Sequence, residues 1–131
     1  MRHFLLWLVV SVAFLSTGPS EAQSIDGNEL LETCTSTDPV FGGFCIGYIL
    51  GAIEGESLGA FIVVGQTIPD LDVSDANEMI SALLGHCTPS EATNKQLRDI
   101  TVKHLKENPA ERHNSARTQI LEALRAAFPC R

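Results

Sequence analysis

Cys34, Cys45, Cys87 and Cys130 have the widest chemical repertoire in this chain. Thiols can bind a metal, attack as nucleophiles or pair as disulfides. The sequence contains no Cys-x-x-Cys and no His-Glu-x-x-His, and the cysteine count is even. In an exported chain that pattern reads as two bridges, with three connectivities open. His86, His104 and His113 with Cys87 are the one conceivable zinc set. His104 and His113, however, fall on the apolar stripes of two helical segments, where a hydrogen-bonded core or boundary histidine suits the pattern better. Glu54 and Glu56 are two residues apart and do not share a helix face, so they are a poor acid–base pair. Tyr48 and a segment after residue 22 without Trp offer no cofactor platform. We assign no catalytic, metal or cofactor residue, and read the chain as a binding protein rather than an enzyme.

Residues 1–22 have the three parts of a secretory signal. Arg2 and His3 precede an apolar run from Phe4 to Leu15, and Ser20-Glu21-Ala22 is a small-x-small cleavage site. The expected mature domain is 23–131, in an oxidising compartment where each disulfide typically contributes about 2–4 kcal/mol. The apolar run is short for a bilayer span, which needs roughly 20 residues.

The mature chain reads as all-α, a small disulfide-stapled bundle of four to five helices. Asp26 and Glu29 form a capping-box pair before a short helix with Leu30, Leu31 and Cys34 inward. Pro39 and paired glycines follow. Cys45 then opens a helix, FCIGYILGAIEG, in which Gly47, Gly51 and Gly55 recur every four residues. We expect another helix backbone to pack closely on that face; a homodimer seam is the alternative. Glu54 and Glu56 argue against stable membrane insertion. LGAFIVVGQ either extends this helix or forms a strand, and Thr67 to Val73 reads as a loop. Ser74 or Asp75 could cap a further helix with Ala76, Met79, Ile80, Leu83 and Leu84 inward and Gly85 as its C-cap.

From Thr88 onward the pattern is clearest. Thr93 and Gln96 start a helix with Leu97, Ile100, Thr101, His104 and Leu105 on one face, an earlier start at Thr88 with Pro89 and Glu91 being the competing choice. Asn108-Pro109, with Glu111, then reads as the opening of a last helix. Its expected inner stripe is His113, Ala116, Ile120, Leu124, Ala127 and Phe128. So short a corner makes the pair antiparallel and brings Cys87 beside Cys130. Cys34 leaves the first helix as Cys45 enters the second, so that pair closes the other hairpin.

Charge is unevenly placed. Residues 23–87 hold ten carboxylates and no Lys or Arg, a net −10, whereas 88–131 holds five acids and eight bases, a net +3. This excludes nucleic acid as a natural partner and favours a protein with a basic surface.

GNELLETC, FCIGYILGAIEG, a Cys-x-Pro before Gln96-Leu97-Arg98, Val102-x-x-Leu105, Asn108-Pro109, Arg112-His113 and the terminal Ala127-Phe128-Pro129-Cys130 together resemble the Rap/Tai immunity proteins. Those are small exported helical proteins of Gram-negative bacteria that protect the periplasm against type VI secretion peptidoglycan amidases. The resemblance implies a periplasmic inhibitor that occludes the groove of an amidase effector. Between Leu58 and His86 this chain is longer than the family pattern. Taken with the charge split, that makes Asp70, Asp72 and Asp75 the expected partner-binding residues, with the Glu107, Arg112, His113 corner as the second candidate. A helical periplasmic stress chaperone or accessory protein without a cognate toxin is the alternative.

Overall fold

The computed structural model describes residues 24–68 and 70–130; the signal-like segment 1–22 and its cleavage site lie outside the described residues. Five α-helices and one 3₁₀ turn follow in order: α1 (Gly27–Thr35), α2 (Pro39–Thr67), α3 (Val73–Leu84), α4 (Asn94–Glu107), the turn Pro109–Glu111, and α5 (Ala116–Ala127). The described residues form no strand, only an isolated bridge between Asp26 and Ser115.

Four of the five α-helices begin at a polar side chain that accepts from their free N–H groups, and α5 has no such side-chain cap. The Asp26 carboxylate accepts from the N–H of Asn28 (2.8 Å) and Glu29 (2.9 Å), while the Glu29 carboxylate accepts from Asp26 N–H, closing the expected capping box. Asp38 caps α2 through Val40 N–H, with Pro39 in the first turn. Thr93 caps α4 through Gln96 N–H. Asp72 caps α3, one helical turn's edge earlier than the expected Ser74 or Asp75. Gly85 ends α3 at φ 76°, the left-handed backbone that glycine adopts without penalty.

Leu30, Ile49, Leu97, Leu105, Ala116, Ile120 and Leu124 meet in one core shared by α1, the first half of α2, α4 and α5. Cys34–Cys45 joins α1 to α2, and Cys87–Cys130 joins the approach to α4 to the exit of α5. Both pairings follow the topology argument made from sequence.

Three expectations are corrected. The last helix starts at Ala116 with Ser115 at its N-cap position, because Pro109–Glu111 forms a 3₁₀ turn and the Arg112 side chain donates to the carbonyls of Leu105 and Lys106 at the end of α4. His113 and Ala127 are exposed; Gln119 and Ala123 are the buried residues that the stripe missed. On α3 only Ala76 is buried, and Met79 and Leu83 face out, since α3 packs along the second half of α2 and little else.

The third correction concerns the glycine helix. LGAFIVVGQ continues it, so α2 runs for 29 residues, roughly 43 Å. Its buried positions are Cys45, Ile49, Ala60 and Val64. The glycines lie on the opposite side, and a Cβ added at Gly47, Gly51 or Gly55 would meet nothing within 4 Å. Among the described residues no helix packs on that face; the neighbours of α2 sit on its Cys45–Val64 side.

Candidate partner-binding site

The acidic candidates cluster at one turn. Ile68 to Asp72 separates α2 from α3, within the expected Thr67 to Val73 loop, whose end residues belong to the two helices. Asp70 stands exposed with φ 71°, the one non-glycine positive φ among the described residues. Such a backbone is strained for most residues and tolerated best by Asp and Asn. One oxygen of Asp72, Oδ1, accepts from both the Ser74 N–H (2.9 Å) and the Ser74 hydroxyl (2.7 Å). The hydroxyl, then the N–H, hold its carboxyl below the usual range, so it stays ionised well into mild acid. Asp75 lies in the first turn of α3, where a negative charge complements the helix dipole. The turn thus presents three exposed carboxylates on a backbone fixed by two helix ends. Beneath it Phe61, Val64, Ile68, Leu71 and Ala76 line a small recess.

The second candidate set sits at the α4–α5 corner. Glu107 is exposed and paired with Lys103. His113 is exposed, its Nδ1 2.9 Å from the Ala110 carbonyl. Arg112 is half-buried and its guanidinium is engaged by α4 carbonyls, while its own carbonyl accepts from Asn28 N–H. No hydrogen bond or ion pair among the described residues links the corner to the acidic turn.

Two polar features lay beyond sequence reasoning. His86 is buried, with Nε2 3.1 Å from Glu56 Oε1 and Nδ1 3.0 Å from Thr88 Oγ1. A proton on Nε2 and an accepting Nδ1 satisfy both partners. This pairing explains a charge inside the apolar run of α2: Glu56 points inward to His86, and Glu54 is exposed. Arg98, which lies outside the apolar stripe of α4 read from the sequence, reaches the Cys34 carbonyl at 2.7 Å. His86, His104 and His113 are not gathered, Cys87 is in a disulfide, and the described residues hold no group of three or more potential metal ligands.

The outer face of α2 is an exposed apolar surface. Val40 (75% exposed), Phe44 (49%), Leu58 (60%), Phe61 (57%) and Ile62 (48%) share it with the glycines. By length and hydropathy this helix could cross a bilayer. Beside its first turns, Ile25, Val40, Phe41 and Phe44 line an open cleft rimmed by Glu29 and Glu32.

Five helices, two disulfides and exposed charged corners define a small stapled helical domain. The model of the Rap1a immunity proteins matches residues 26–130, and the chain belongs to that family. Comparisons with curated proteins and with solved structures returned no match.

Proposed function

We propose that the protein is an exported, non-enzymatic inhibitor that acts in the periplasm against a type VI secretion peptidoglycan amidase by occluding its active-site groove. The observation that carries this reading is the family match across 26–130, nearly all of the described chain. The occluding element is the acidic turn. Asp70, Asp72 and Asp75 are exposed at the junction of two helices, so little ordering entropy is lost when they enter a groove. The charge of residues 23–87 suits a basic rim around that groove.

The turn is too short for clean deletion, since removing 67–75 would cut the cap and first turn from α3. Charge reversal is the better probe. A periplasm-directed cognate amidase should lyse cells that carry Asp70→Lys/Asp75→Lys but spare cells with the parent protein. Full protection by the double variant would move the contact to Glu107 and His113. The exposed apolar side chains of α2 favour a second reading, a periplasmic helical chaperone. That protein would suppress aggregation of several unrelated unfolded clients, whereas an immunity protein would bind one native enzyme.

A further inference from the structure

The cleft between α1 and the start of α2 has two unlike walls. Glu29 and Glu32, three residues apart on α1, line one side, while Val40, Phe41 and Phe44 of α2, with Ile25, supply an apolar lining. Its volume is about 450 Å³, inside the roughly 300–1,000 Å³ range of binding clefts. We propose that it docks a cationic amphipathic segment of a protein, with large apolar side chains seated on Phe41 and Phe44 and Lys or Arg side chains paired with Glu29 and Glu32.

Both walls lack partners within the chain. Phe41 is 51% exposed beside Val40 and Phe44, and clustered apolar side chains rimmed by polar ones mark interaction surfaces. Neither Glu29 nor Glu32 makes an ion pair among the described residues. Glu29 gives one oxygen to the Asp26 N–H and keeps the other free. Residues 23–87 hold no Lys or Arg, and the guanidinium groups of Arg98 and Arg112 are engaged by the carbonyls of Cys34 and of Leu105 and Lys106. The complementary charge therefore comes from outside. An anionic ligand would be repelled from this rim, and a neutral one would leave both carboxylates unpaired.

The walls are also fixed in advance. Cys34–Cys45 ties α1 to α2, the Asp26 and Asp38 caps hold the two helix starts, and Phe44 stacks on Tyr48 with ring centroids 6.0 Å apart. A preformed cleft loses little ordering entropy when it is filled. It lies at the start of α2, whereas the acidic turn follows the other end of that helix, roughly 35 Å away at 1.5 Å per residue. The inference thus goes beyond the inhibitor reading and stands without it.

The probe is a fluorescent synthetic peptide of Lys, Leu and Phe, patterned as an amphipathic helix and titrated with the disulfide-intact mature protein. Anisotropy should show saturable binding of one peptide per chain. Glu32→Lys and Phe41→Ala/Phe44→Ala should each weaken it by about tenfold or more, with unchanged far-ultraviolet circular dichroism because these side chains are exposed. Asp75→Lys, the same charge change at the distant turn, and Phe61→Ala, which removes an exposed ring further along α2, should leave affinity within about twofold. Amide shifts of the unsubstituted protein give an independent readout: the peptide should move Glu29–Ser36 and Val40–Phe44 and leave residues 70–75 in place. Binding that never saturates, or losses from Asp75→Lys or Phe61→Ala as large as those from the cleft variants, would overturn the proposal. So would equal affinity for the peptide with every Lys replaced by Gln, which would make this a site for neutral apolar ligands.

Discussion

Asp26 shows how much one side chain settles. Its carboxylate accepts two N–H groups of α1, and its pKa lies below the ordinary 3.8, chiefly through the Glu29 N–H. A carboxyl whose folded pKa is depressed stabilises the fold in its ionised form. That contribution is complete above the unfolded value of 3.8 and fades as pH falls through the lower folded value. Asp26→Ala should therefore cost about 0.5–2 kcal/mol near neutral pH. In urea melts, the gap between parent and variant should narrow as the solution is acidified below 3.8. A gap independent of pH would mean that the loss is not electrostatic. This site was legible in the sequence, because a capping box is a local pattern whose two partners are three residues apart. His86–Glu56 spans thirty residues, and no local spacing announces it. The partner-binding candidates stand between these cases: the sequence located their charge and the bounds of the acidic loop, while the engagement of Arg112 emerges only when α4 and the corner fold.

At the scale of elements, glycine has opposite meanings in α1 and α2. A Cβ at Gly27 would stand 2.9 Å from the Arg112 carbonyl oxygen and 3.0 Å from Leu105 Cδ2, so that glycine is the one at which two elements approach closely. Gly27→Ala should destabilise by roughly 1–3 kcal/mol, as overpacking does. Gly55→Ala, measured in dilute monomer, should instead gain up to about 1 kcal/mol of helix propensity. Thermal melts of the two variants, moving in opposite directions, check the assignment; two losses would mean that the α2 glycines are covered within the monomer. Sequence periodicity found the helix and the row of glycines correctly, and the face they occupy. It misplaced the neighbour, since the spacing of a glycine row does not itself say whether a helix lies opposite. The start of α5 was misplaced for a related reason. Asn108-Pro109 is a good helix opening in isolation, but Arg112 draws the chain back onto α4 and delays the helix to Ala116.

Taken whole, the molecule has an acidic half that carries α1, α2 and α3 and a mildly basic half that carries α4 and α5. Fields of this kind act mainly on encounter. For the proposed inhibitor, raising ionic strength should slow association with the amidase far more than it hastens dissociation. Stopped-flow binding at several salt concentrations measures this directly, and an association rate indifferent to salt would remove electrostatic steering from the mechanism.

The join between the first and last thirds of the chain bears on the order of synthesis. Gly27 N–H donates to the Asn114 carbonyl, Asn28 N–H to Arg112, and Ala116 N–H to Ile25, so the earliest residues of the domain find their backbone partners close to the last. A chain emerging from a ribosome or a translocation channel holds the residues of α1 long before it holds anything for them to close upon. Until the α4–α5 corner is out, α1 has its cap but no dock, and short helices without tertiary packing are marginal in water. The nascent domain stays open by construction. The docking of α1 should therefore come late, once the α4–α5 corner has been made.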